Sequence, residues 1–155
     1  MPLFQAALEL RSDSPADAVV PADGREGIYI GTSLGTVTGK RLSGVIRASF
    51  YSGDCLYPLA RAGQLVPDGL HLCTVNPGMI IDTRDGARIR VDGKGYGLRD
   101  AGHYQVGAAL VFATEAPRYS WLTRTLAVLE GEFDERTGRS SWCVYLPNDR
   151  ARPRY

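Results

Sequence analysis

The sequence is poor in the residues from which most metal and nucleophile signatures are written. It has two histidines, His71 and His103, and three cysteines, Cys55, Cys73 and Cys143, in 155 residues. No Cys-x-x-Cys pair occurs, so a zinc site would lack its usual three or four ligands, and no metal is expected. An odd, sparse cysteine set is not the framework of a disulfide-stapled domain. Charge of one sign is also missing: 18 basic residues face 17 acidic ones, for a net charge of +1. Electrostatic capture of nucleic acid or an anionic membrane needs a basic excess, so neither is an expected partner. No apolar run approaches the ~18 residues of a membrane span. Met1-Pro2-Leu3-Phe4-Gln5 lacks the basic-then-apolar order of a secretory signal. The expectation is a soluble, cytoplasmic protein in a reducing compartment.

Turns are abundant instead. The 18 glycines and 9 prolines are spread along the whole chain, and few long helices survive such punctuation. Turn signals include Pro21-Ala22-Asp23-Gly24, Asn76-Pro77-Gly78, Arg84-Asp85-Gly86, Asp100-Ala101-Gly102 and Arg136-Thr137-Gly138. Between them the apolar residues recur with period two. Ala87, Ile89 and Val91 alternate with Arg88, Arg90 and Asp92, the pattern of a half-buried strand. Phe4, Ala6, Leu8 and Leu10 likewise share one face. Residues 103–114 and 120–133 are long enough for helices, but their β-branched and aromatic content favours strands. Arg139–Leu146 reads as the return strand of a hairpin.

One domain over residues 1–147, with a polar tail over 148–155, accounts for the chain. Many short strands with tight turns give an all-β fold, a sandwich or a barrel. The long runs suit tilted staves, and closure removes exposed edges. The predicted fold is therefore a closed or nearly closed antiparallel β-barrel of about eight to ten strands with an internal cavity for a small ligand.

Several motif matches dissolve on inspection. Gly31-Thr32-Ser33-Leu34-Gly35 fits G-x-S-x-G, but no helix follows to make a nucleophile elbow, so it reads as a glycine-rich turn. Gly93-Lys94-Gly95-Tyr96-Gly97 reads as a loop rather than a dinucleotide fingerprint. No cofactor is expected. His71 and Cys73 share one strand face with Val75 and can line a pocket; a buried, hydrogen-bonded histidine is the alternative.

Two segments point to chemistry. In Phe50-Tyr51-Ser52-Gly53-Asp54-Cys55-Leu56-Tyr57 one carboxylate lies among aromatic and apolar neighbours. Enclosed there, Asp54 would be desolvated and poised as a general acid or base; the alternative is a turn aspartate capping backbone amides. Arg118-Tyr119-Ser120-Trp121-Leu122-Thr123-Arg124 packs two aromatics among arginines. On a strand, Tyr119, Trp121 and Thr123 would share one face and form a platform for a flat ligand. The alternative is corner packing.

These segments resemble the family known as domain of unknown function 3237. Phe112-Ala113-Thr114-Glu115-Ala116-Pro117-Arg118-Tyr119-Ser120-Trp121-Leu122-Thr123 is similar to the family's Ala-Pro-x-Tyr-x-Trp-Leu-Asn run, with Thr123 where asparagine is usual. Asp82-Thr83-Arg84-Asp85-Gly86-Ala87-Arg88-Ile89-Arg90-Val91 resembles its T-D-D-G-A-x-I-x-V hairpin. Gly35-Thr36-Val37-Thr38-Gly39-Lys40-Arg41-Leu42-Ser43-Gly44 resembles its glycine-spaced run, and Gly53-Asp54 its G-G-x-D-W, with Cys55 replacing the tryptophan. Asn76 stands near a position where the family often has aspartate. The resemblance, over roughly residues 3–147, implies a small antiparallel barrel with a cavity, often a homo-oligomer, and no settled reaction.

The combined expectation is a cofactor-independent enzyme that cyclises, isomerises or cleaves a lipophilic oxygenated small molecule in the lumen. Asp54 would move the proton, with Tyr57 or Tyr104 as hydrogen-bond donors and Arg118 stabilising an oxyanion. Trp121, Tyr119, His71, Cys73 and Asn76 would contact the substrate. A non-catalytic carrier with the same pocket is the alternative.

Overall fold

The computed structural model describes residues 1–56 and 70–147, excluding the side chains of residues 54–56. Among the described residues there are nine strands: β1 Phe4–Ser12, β2 Ile28–Thr38, β3 Gly44–Leu56, β4 Leu70–Val75, β5 Gly78–Thr83, β6 Arg88–Asp100, β7 His103–Ala113, β8 Ala127–Asp134 and β9 Arg139–Tyr145. All pair antiparallel in the order β2-β1-β9-β8-β7-β6, with β4 and β5 both bridging β6 to β3, which returns to β2. The ring is closed, as the period-two patterns predict.

The barrel has eight staves because β4 and β5 are two halves of one. β4 pairs Cys73 with Cys55 of β3, while β5 pairs Thr83 with Gly44 of the same strand. The break falls at Asn76-Pro77, where proline has no N–H to offer a ladder. There the Asn76 amide donates to the Tyr51 carbonyl instead, at 2.9 Å.

Alternation along the staves fills the interior. Phe4, Ala6 and Leu8 of β1 point inward and are buried, as do Ile89 and Val91 of β6 and Tyr104, Val106, Ala108, Leu110 and Phe112 of β7. Residues 103–113 thus form a strand, as their composition predicts.

Three sequence expectations need correction. Gly31–Gly35 is not a turn; it runs through the middle of β2. Gly93–Gly97 is not a loop; it lies within β6. Both stretches are rich in glycine because neighbouring staves come too close for a side chain. A Cβ on Gly35 would stand 1.9 Å from the Ala7 carbonyl oxygen, and one on Gly95 2.0 Å from that of Gly107.

The third correction concerns 120–133. Residues Pro117–Arg124 form a 3-10 helix, and the strand begins only at Ala127. Proline in the first turn fixes φ and lacks the N–H that would go unused there, which favours helix. The helix crosses one end of the barrel and buries Tyr119 and Leu122 against the core.

The chain thereby has two unlike ends. One is closed by the helix over Phe4, Leu42, Ile46, Ile81 and Ile89, all buried. The other end, called the mouth below, is where the β6–β7 and β8–β9 turns and the ends of β1 and β3 meet.

Candidate functional site

The closed end is held by one carboxylate. Asp85, in the β5–β6 turn, accepts a hydrogen bond from Thr83 Oγ1, accepts the Tyr119 hydroxyl on both carboxylate oxygens at 2.9 and 3.0 Å, and pairs with Arg118 at 2.9 Å. These donors, the Thr83 hydroxyl foremost, hold its carboxyl below the usual carboxylate range. Arg41 stacks its guanidinium over the Trp121 ring, 3.7 Å from the centroid. Arg118, Tyr119 and Trp121 therefore stand together, but as part of the plug. Helical rather than strand geometry also removes the shared face expected for Tyr119, Trp121 and Thr123.

The mouth has a different character. Phe50, Tyr104 and Phe133 meet there, with ring centroids 5.9–6.0 Å apart. Tyr104 is only 4% exposed. Burial pushes its phenol above the usual tyrosine value, and the nearby negative charge of Glu135 adds to the shift. The polar neighbours acting on this hydroxyl are Glu135 and Ser52, while the Arg99 guanidinium lies 5.8 Å from the ring centroid. Arg99 also pairs with Glu135 at 2.9 Å. The result is a protonated phenol at neutral pH, set in an aromatic wall and beside a carboxylate that an arginine fixes.

Local turns place these groups. The β6–β7 connection is tight, with Ala101 at φ +48° and Gly102 at φ +82°, both in the left-handed region. Arg99 and Tyr104 consequently face each other across the hairpin. The Gly102 carbonyl accepts the Glu135 amide at 2.8 Å, tying the second turn to the first. Glu135 was not a sequence candidate. Its only signal there is a position one residue past the β8 run, which says nothing about the hairpin it will meet.

The remaining candidates divide between the two regions and the wall. His71 shares the inward face of β4 with Cys73 and Val75, as predicted, and pairs in register with Arg99 near the mouth. Asp54 lies on β3 two residues beyond Ser52, toward the mouth, but its side chain is outside the described residues, as is Tyr57 altogether. Asn76 sits at the stave break, buried, and lines a recess on the outer wall with Thr74 and Lys94.

Cys73 is disulfide-bonded and Cys143 is free, so a sparse cysteine set does not exclude a bridge here. The register partner of Cys73 is Cys55. Among the described residues no group of three or more His, Cys, Asp and Glu side chains is placed to hold a metal ion. Among them, too, no helix is long and apolar enough to cross a membrane.

Comparison with protein-family models finds no match, and comparison with curated proteins finds none. Solved structures do match. A β-barrel-like protein from Acinetobacter baumannii AYE is 21% identical, with a TM-score of 0.60 over 94% of this chain and 92% of that one. A protein of unknown function from Rhodopseudomonas palustris is 16% identical, with a TM-score of 0.58 over 92% and 93%. Another, from Clostridium acetobutylicum ATCC 824, is 16% identical, with a TM-score of 0.55 over 94% and 96%. At these identities the likeness is one of fold, and it spans nearly the whole of each chain.

Proposed function

We propose that the mouth of the barrel binds a small, lipophilic, oxygenated molecule and that the protein is a cofactor-independent enzyme acting on it by general acid–base chemistry. The observation that carries this reading is Tyr104. A phenol buried in an aromatic wall, protonated at neutral pH as tyrosines ordinarily are and flanked by an arginine-bound carboxylate, is suited to donate a hydrogen bond to a ligand oxygen. Phe50 and Phe133 supply the apolar contact. Asp54, from the end of β3, is the proposed partner that moves the proton, and His71 and Cys73 are proposed to contact the ligand from the inward face of β4. The reaction class is cyclisation, isomerisation or bond cleavage. Membership of the domain of unknown function 3237 family is part of this reading and rests on the order and spacing of the motifs given above. So does self-association: Tyr96, Leu98 and Val111 leave apolar surface on the outer wall. A single-barrel mass by light scattering would remove that part.

The test is a panel of lipophilic hydroxy-ketones and lactones incubated with the protein and followed by mass spectrometry. Wild type should convert at least one of them. Tyr104→Phe, which keeps the ring, should lower turnover by about 10²-fold or more while leaving the fold intact, and Asp54→Asn should abolish it. Full turnover in Tyr104→Phe overturns the assignment. Binding without turnover in wild type makes the protein a carrier.

A further inference from the structure

Between β1 and β2, residues 18–27 run across the outside of the barrel as a strap. The Val19 amide donates to Ser49 Oγ at 2.7 Å, and the Ala22 amide to Asp92 Oδ1 at 2.9 Å. Arg25 lies over the Tyr51 ring, 5.8 Å from its centroid. Lys94 of β6 pairs with Asp23 at 2.9 Å and with Glu26 at 3.1 Å. Gly27, at φ +78°, lies so close to β3 that a Cβ would stand 2.7 Å from the Ser52 carbonyl oxygen. Beside this fastened strap the outer wall is recessed. The recess, about 350 Å³ in volume, is lined by Glu26 and Gly27 of the strap, by Thr74 and Asn76, and by Lys94 and Tyr96 of β6. Thr74 and Asn76 are on its side of the wall because Cys73 and Val75 fill the alternate, inward positions. The register sets Thr74 opposite Tyr96. Asn76 is 7% exposed and Tyr96 57%, so a sheltered polar floor meets an open aromatic wall.

The chemistry of the lining selects a ligand class. Lys94 already stands between two carboxylates. A ligand anion would have to displace one of them, and a ligand cation would have to compete with Lys94. A hydroxyl displaces neither, because it accepts from an ammonium and donates to a carboxylate at once. The Asn76 amide likewise carries donors and an acceptor, and the Thr74 hydroxyl serves as either. The Tyr96 ring adds a flat apolar face. Neighbouring hydroxyls along an edge, with C–H bonds on a face, are the features of a pyranose sugar.

We propose that this recess is a saccharide-binding site. It takes one neutral pyranose unit, with a C–H face of the sugar on Tyr96 and its hydroxyls toward Asn76, Glu26 and Lys94. The site lies on the outer wall and does not depend on the catalytic reading of the mouth.

Saturation-transfer NMR on the wild-type protein tests it, with the methyl glycosides of glucose, galactose, mannose, fucose and N-acetylglucosamine each added alone. At least one should receive saturation, most strongly at the C–H protons of one face. No transfer to any of them overturns the proposal. Tyr96→Ala, at an exposed position, should weaken binding of that glycoside about tenfold, while Tyr96→Phe, which keeps the ring, should leave it nearly unchanged. Unchanged affinity in Tyr96→Ala overturns the placement. Asn76→Ala should weaken binding about tenfold, the worth of one hydrogen bond; should that variant not fold, the Tyr96 pair decides. Acetate and putrescine are the charged probes. Either one shifting the Tyr96 ring resonances at a lower concentration than every glycoside overturns the choice of ligand. Tyr96 also belongs to the face proposed for self-association, and one ring cannot serve both. Light scattering of the same sample separates them: a mass above that of one barrel with no glycoside bound overturns the saccharide site. Tyr104→Phe should bind the glycoside as wild type does, so the catalytic reading can fail while this site stands.

Discussion

Asp85 receives the Thr83 and Tyr119 hydroxyls and the Arg118 guanidinium at one hairpin turn. Its folded pKa is lowered, so the stabilisation it gives is complete above the ordinary carboxylate range and is lost as pH falls through the lowered value. Asp85→Asn removes the charge. At pH 7 its Tm should lie below that of wild type by about 3 °C, and the gap should close as pH falls through the lowered carboxylate value. Asp82 and Asp134 are also lowered, but both proteins keep them, so the difference between the two melting curves isolates Asp85. A gap that is constant with pH would mean that the carboxylate contributes shape and not charge. The residue type was visible in the sequence as part of a turn signal. Its partners were not, because they come from the turn itself and from a helix 34 residues away along the chain.

At the scale of elements, alternation was the legible part and local helix the illegible one. Ala87–Asp92 and Phe4–Leu10 show period two without interruption and became β6 and β1 as read. The 117–124 segment has strand-like composition, yet Pro117 begins a 3-10 helix that the Asp85 contacts then secure. No periodicity in eight residues competes with those tertiary contacts. Its anchor is Leu122, fully buried in the closed end. Leu122→Ala should destabilise the fold by about 2–5 kcal/mol, the usual cost of emptying a core leucine site, as measured by urea denaturation. Glycine placement was misread for a related reason: a stave crossing is invisible until strands are paired. Two strand glycines should behave oppositely. Gly35→Ala drives a methyl into the Ala7 carbonyl and should cost about 3 kcal/mol or prevent folding. Gly107→Ala meets nothing within 4 Å and should stabilise by about 0.5 kcal/mol, since alanine has less freedom to lose. If both were tolerated, the β1–β2 approach would be looser than this geometry requires.

The whole molecule separates structure and proposed function along one axis. Asp54, Tyr104, His71, Arg118, Tyr119 and Trp121 all carry groups suited to one site, and nothing in a linear chain says which end of a stave each occupies. Topology divides them. β7 starts at the mouth with Tyr104 and ends at the plug with Phe112 and Ala113; the helix that follows must therefore cross the far end. Arg118 there is committed to Asp85, and Trp121 to Arg41. Substitutions at the two ends should accordingly separate in a single experiment on thermal stability and turnover. Arg118→Ala should lower Tm by a few degrees and leave turnover of the hydroxy-ketone and lactone panel unchanged. Tyr104→Phe should do the reverse, keeping Tm nearly constant while lowering that turnover. Arg118 acting on the ligand would instead appear as lowered turnover in Arg118→Ala, because an interaction lost from the site is read there even when the fold survives. The mouth and the plug are joined only through the packed interior between them, and eight hydrogen-bonded staves leave that interior little freedom to relay a change.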